Sequence, residues 1–226
     1  MLILFDIDQT LISTRNFFGR TMFVDAFQTG FGIDVTDSLE GISFAGRTDL
    51  SLVEELRQKA GLTTVSATDV WQTIKHNMEE YSVRMGSNDV DVVPGAADFL
   101  KRVHEAGHTV GLVTGNIRSI AYRKLAAGGY VDIFVDGAFG CDFANRSLLP
   151  PLALQRINDA VTTPFTPENV IVVGDAPGDV LCALENGMTS LAVATGSHSE
   201  SELRELGAHI VVPTLDHADV AYLCGS

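Results

Sequence analysis

Residues 1–10 read MLILFDIDQT, and this stretch decides the fold. Leu2, Ile3, Leu4 and Phe5 form an apolar run without polar alternation, the pattern of a short strand covered on both faces. The run breaks into Asp6-Ile7-Asp8. Side-chain direction along a strand repeats every two residues, so the two carboxylates point the same way. A buried strand that delivers paired acids to its carboxyl end suits an open α/β sheet, whose ligand crevice lies there.

Working outward, the same kind of run recurs at 109–113, 133–135, 170–173, 191–194 and 210–212, each bounded by Gly, Asp or Thr. Helical patterns at 96–105, 119–127, 152–160, 179–186 and 200–206 separate them. This alternation predicts a doubly wound parallel α/β sheet. Residues 15–92 break the rhythm and show helical patterns without a convincing strand. Leu50, Val53 and Leu56 keep helical spacing, with Asp49 placed to cap and Gly61 to stop; Val70, Ile74, Met78 and Tyr81 repeat it behind Ser66 or Thr68. The expected organisation is an α/β core from 1–14 and 93–226, with a smaller all-helical domain, 15–92, inserted after the first strand. Its hinges are expected near 13–16 and 87–94.

Composition narrows the classes of partner. Of 226 residues, 46% are hydrophobic and 19% charged, as in a folded globular chain. The net charge is −14, from 29 acidic and 15 basic residues, with no Lys/Arg cluster, so neither nucleic acid nor a membrane is expected as a partner. Cys141, Cys182 and Cys224 are widely spaced and lack a CxxC pattern, which indicates neither a disulfide framework nor a zinc cluster. No stretch of about 18 apolar residues suggests a membrane span. The expectation is a cytoplasmic protein, monomer or homodimer.

Polar residues interrupt three of the runs at their ends. The first leads into Asp6 and Asp8, that at 109–113 into Thr114-Gly115-Asn116, and that at 170–173 into Gly174-Asp175, with Asp179 four residues on. If these strands are neighbours, the interruptions meet. Each aspartate alone reads equally as a turn or helix cap; together they read as a site. Gathered carboxylates repel without a cation, and an oxygen-only set without His or Cys suits magnesium better than zinc. Thr114, Gly115 and Asn116 offer a hydroxyl and backbone N–H groups to phosphate at a helix start, or simply cap that helix.

DIDQT near the start, VTGN at 113–116 and GDAPGD at 174–179, in this order, resemble the haloacid dehalogenase superfamily, in its phosphatase branch with a helical cap. The resemblance covers nearly the whole chain. It implies that Asp6 is a nucleophile passing through an aspartyl phosphate, and that Asp8 is general acid and then base. It implies Mg2+ held by Asp6, Asp175 and the Asp8 backbone carbonyl, with Asp179 holding a metal-bound water or orienting a neighbour. The dehalogenases of the superfamily lack an acid two residues after the nucleophile, so Asp8 favours phosphoryl transfer.

Two departures stand out. Gln9 occupies a position where the family commonly has glycine, tolerable if the backbone angles there are ordinary. The lysine usually found before a late helix is missing; Arg146 is the best substitute, with Arg118 or Lys124 as alternates. The stretch Ala45-Gly46-Arg47-Thr48-Asp49 is similar to a cap segment of phosphoglycolate phosphatases and β-phosphoglucomutases, which implies that Arg47 meets an anionic part of the substrate. Arg20 is a weaker candidate. The expected function is magnesium-dependent hydrolysis of a small phosphorylated metabolite, phosphoglycolate phosphatase-like. The alternatives are a phosphosugar mutase resembling β-phosphoglucomutase, and an inactive binding protein on the same fold.

Overall fold

The structure, a computed structural model, describes residues 1–219 and 221. In chain order the elements are β1 (Leu2–Phe5), β2 (Ile12–Thr14), α1 (Phe18–Phe31), α2 (Asp49–Lys59), α3 (Ala67–Ser82), β3 (Val90–Val92), α4 (Ala96–Glu105), β4 (Thr109–Val113) and α5 (Arg118–Ala127). They continue as β5 (Gly137–Ala138), α6 (Leu149–Ala160), β6 (Val170–Gly174), α7 (Pro177–Glu185), β7 (Thr189–Val193), α8 (Glu200–Glu205) and β8 (Ile210–Val212).

The main sheet has six strands in the order β5-β4-β1-β6-β7-β8, every pairing parallel. The sheet is doubly wound, and the alternation along β1 shows why. Ile3 and Phe5 pack with Phe99, Val103 and Leu125 on one face, while Leu2 and Leu4 pack with Leu149, Ile157 and Cys182 on the other. Every residue of β1 is fully buried. Phe5 is in register with Leu112 of β4 and Val173 of β6, so the three strands whose ends carry polar residues are immediate neighbours.

Helices α1, α2 and α3 surround a second apolar cluster of Phe23, Phe27, Leu56, Ile74 and Met78, which Ile117 and Ile120 from the start of α5 complete. The segment 15–92 is not free of strand. β2 and β3 pair antiparallel, Ile12 with Val92 and Thr14 with Val90, and this ribbon ties the two crossings of the chain together. Val92 is exposed, so its short alternation offers little signal against the loop around it.

Three other local expectations shift. The edge strand lies at Gly137–Ala138 instead of 133–135. Ile133 and Phe134 pack against the core from the preceding loop, which accounts for their apolar character. Helices α6 and α7 begin earlier than expected because prolines occupy their first turns, where an N–H is not needed. Thr48, not Asp49, caps α2: its hydroxyl oxygen accepts from Ser51 N–H at 3.2 Å. Ser66 caps α3 as expected.

No helix among the described residues is long and apolar enough to cross a membrane. Cys141 and Cys182 are free thiols, and Cys224 lies outside the described residues.

Candidate active site

Each acid is placed by a short piece of backbone. The Asp6 N–H donates to Val173 O at 2.9 Å, continuing the β1–β6 ladder one residue past the strand and fixing where the side chain starts. Asp175 follows β6, and Asp179 sits in the first turn of α7, where its Oδ2 accepts from the Ala176 N–H at 3.1 Å. Thr10 donates its buried hydroxyl to Asp175 Oδ1 at 3.3 Å. One oxygen from each of Asp6, Asp175 and Asp179 lies within 4.8 Å of the others, and all three residues are buried.

Charge in this cluster is only partly balanced. Arg146 Nη2 lies 3.2 Å from Asp6 Oδ1 and also grips Asp179. The guanidinium is buried; desolvation pulls its pKa down, but Asp179 and Asp6 together raise it. One cation is too little for three acids. Burial, then the Asp179 and Asp8 carboxylates, push Asp6 up to about 7 despite Arg146. Burial, then Asp179, Asp6 and Asp8, push Asp175 up to about 8. An all-oxygen set that resists carrying its own charge fits a hard divalent cation, which would restore the ionised forms. Among the described residues, Arg146 Nε is a buried donor without an acceptor.

The carboxylate of Asp8 stands apart from that trio. Lys124 Nζ lies 2.7 Å from both of its oxygens and 2.7 Å from Asn116 Oδ1. Asn116 Nδ2 donates to Asp8 Oδ2 at 2.7 Å and to Thr114 Oγ1 at 2.8 Å. Thr114 and Asn116 therefore serve Asp8, while Gly115 meets the helical segment. A side chain at Gly115 would collide with the carbonyl oxygen of Arg47, and the Gly115 carbonyl accepts from Asp49 N–H at 2.7 Å. Asp49 returns the contact, its Oδ2 accepting from Ile117 N–H at 2.8 Å; burial pushes it up to about 7.

The expected cations divide. Arg146 and Lys124 both reach the acids, one beside Asp6 and the other on Asp8. Arg118 does not: it is exposed, pairs with Asp136 at 2.6 Å and stacks on the Phe139 ring. Arg47 borders the cavity, but its Nη1 is bound to Glu55 Oε2 at 2.5 Å. Arg20 also borders it, with its guanidinium donating to the carbonyls of Leu39 and Ile42 at 3.0 and 2.9 Å.

Gln9 departs from the condition set on it. Its φ is 59°, in the left-handed region that glycine takes without cost. The turn is held instead by one tertiary and one local contact: Gln9 O accepts from the Thr195 hydroxyl at 2.5 Å, and Gln9 N–H donates to Ile12 O at 2.7 Å. The loop 195–197, which follows β7, was not legible as part of the site. A side chain at Gly196 would strike the Asp175 carboxylate. Lys124 did carry a signal. It repeats the apolar face of Ile120, Ala121 and Leu125 on α5, and a lysine there is buried and therefore paired.

Asp6, Asp8, Asp175, Lys124 and Arg146 open onto one cavity of about 860 Å³, walled on its other side by residues of the helical segment. The sequence pattern of haloacid dehalogenase-like hydrolases matches residues 3–193, and the chain belongs to that family. Among curated proteins, a 5′-nucleotidase of Pseudomonas aeruginosa is 28% identical over 98% of this chain and 92% of its own. A phosphoglycolate phosphatase of Vibrio vulnificus is 24% identical over 88% and 86%. Among solved structures, a β-phosphoglucomutase from Clostridium difficile superposes with a TM-score of 0.69 at 19% identity, covering 98% of this chain and 94% of that one. The chain is thus a hydrolase whose curated relatives act on phosphate esters.

Proposed function

We propose that this protein hydrolyses a small phosphate monoester in a magnesium-dependent reaction, through an aspartyl phosphate on Asp6, on the catalytic plan of the phosphoglycolate phosphatases. One observation carries the reading: two acids from one strand end sit in two different charge environments. Asp6 lies against Arg146, inside the acid trio, and Asp8 is held by Lys124 and Asn116. Acids kept apart in this way take different roles. Asp6 attacks phosphorus, and Asp8 protonates the departing alkoxide and later takes a proton from water. Arg146, beside Asp6, orients a phosphate oxygen as the substitute for the lysine the family usually has.

Asp6, Asp175 and Asp179 are the residues to hold Mg2+, which supplies charge neutralisation on the phosphate. Residues 15–92 serve as the cap that shields the reaction from water. The free thiols Cys141 and Cys182 accord with action in a reducing cytoplasm.

The test is release of inorganic phosphate from a panel of phosphate esters with and without magnesium, alongside mass analysis for phosphorylated Asp6. Magnesium-dependent release supports the reading. Isomer formation without phosphate release would favour the mutase, and no turnover of any ester would leave a binding protein.

A further inference from the structure

The organic half of the cavity has a composition of its own. At about 860 Å³ the cavity far exceeds what a phosphate and a two-carbon acid occupy, and lies in the range of sites for ring-bearing ligands. Phe17 lines it and is 79% exposed. Its backbone is left-handed, with φ 54° and ψ 26°, and Asn16 before it has φ 54° as well. Phe17 also occupies the N-cap of α1 without making a capping bond, where Ser, Thr, Asn or Asp is preferred. A bulky aromatic in that conformation, in water, at a capping position is unfavourable for folding on three counts. A residue kept against such costs beside a cavity points to a ligand.

A second ring, that of Phe44, lines the cavity as well, steadied edge-on by Phe23 with centroids 5.3 Å apart and by Arg20, whose guanidinium lies 4.9 Å over the ring. Among the described lining residues the cations are engaged. Arg47 is paired with Glu55, Arg20 with two carbonyls, Lys124 with Asp8, and Arg146 with Asp6 and Asp179. The remaining lining side chains that can hydrogen-bond include the neutral Gln9, Asn16, Ser43 and Ser197. Such a wall offers stacking faces and neutral hydrogen bonds, with each cation already holding a partner.

We infer that the leaving group is a neutral, hydroxyl-bearing molecule with a flat ring, a nucleoside, so that the substrate class is a nucleoside 5′-monophosphate, and that Phe17 is the stacking residue that selects it. This rests on the phosphatase reading above. Stacking of a base on an aromatic side chain contributes roughly 10- to 100-fold in affinity.

The experiment measures kcat/KM for phosphate release, with magnesium, from AMP, UMP, glucose 6-phosphate and 2-phosphoglycolate. Both nucleotides are expected to exceed the other two by about tenfold or more. In Phe17→Ala and Phe17→Gly the ratio of nucleotide to glucose 6-phosphate should fall about tenfold, mainly through a higher KM, and Phe17→Tyr should restore it. Glycine accepts the left-handed backbone, so an undiminished melting temperature in Phe17→Gly separates lost stacking from lost fold. A ratio unmoved in both truncations, or a parent enzyme that prefers 2-phosphoglycolate or the sugar phosphate, overturns the inference and leaves the phosphatase reading standing. Failure to release phosphate from any ester overturns the reading beneath it as well.

Discussion

Asp6 and Asp8 leave the same strand end two residues apart, yet their neighbours give them different charge environments. Asp6 is buried with Arg146 against it, and Asp8 is clasped by Lys124 and Asn116. Asp6→Asn keeps the shape and removes the proposed nucleophile, so turnover should vanish and no phosphoenzyme should form. Asp8→Ala removes general acid–base help, a loss of about 10²–10⁴-fold, and should leave trace turnover or trapped phosphoenzyme. Steady-state kinetics with phosphoprotein mass analysis checks both; equal, mild losses would refute the division of roles. Gln9 is a second case in which one residue's setting outweighs its type. Its left-handed φ of 59° costs about 1–2 kcal/mol, part of which glycine would return through its own unfolded-state entropy. Gln9→Gly should therefore gain up to about 1 kcal/mol, read as a melting temperature about 2–4 °C higher. A clear loss would mean that the side-chain bond from Gln9 to Ser13 outweighs the strain.

At the scale of elements, the start of α2 matters beyond its own helix. Thr48 caps it and also donates its buried hydroxyl to Ala144 O at 2.9 Å, while Asp49 N–H and Leu50 N–H reach the carbonyls of Gly115 and Gly140. The helical segment is thereby fastened to the loop that holds Asp8. Thr48→Ala should cost about 1–2 kcal/mol in urea unfolding, and Thr48→Ser should recover most of it. Equal losses from both would point to packing of the methyl group. The spacing of Leu50, Val53 and Leu56 announces this helix, but the capping oxygen is decided by geometry: either Thr48 or Asp49 has the chemistry. Asp49 is instead turned to accept the N–H of Ile117, 68 residues away in the chain. The ribbon of β2 with β3 was hidden for a similar reason, since three-residue strands with exposed positions carry almost no period.

For the whole molecule, the acid trio links function to stability. The unfolded carboxylates titrate near 3.8, whereas Asp6 and Asp175 in the folded chain are pushed up to about 7 and about 8 by burial and by one another. A raised folded pKa means stability that is full below the unfolded value and lost as pH climbs through the folded one. Metal-free protein should therefore lose stability from about pH 4 to about pH 8, and magnesium, by holding the ionised forms, should raise the melting temperature more at about pH 8 than at about pH 6. Differential scanning fluorimetry with EDTA and with magnesium checks this, with Asp175→Asn as the control in which the pH-dependent part shrinks. An increment that is the same at both pH values would remove the trio as the magnesium site.

What residue order determined by itself is the architecture and the acids. An unalternating apolar run must be covered on both faces, and an acid directly after it must sit at the strand's carboxyl end; neither inference needs a partner. What only the tertiary structure decided is which charge answers which. Lys124 is 116 residues from Asp8 and Arg146 is 33 from Asp179, and ion pairs across such separations leave no period in the chain. The same holds for the strained turns at Gln9 and Phe17, because a backbone angle that opposes a residue's preference is imposed by distant contacts or kept for a ligand, never by the residue's own propensity.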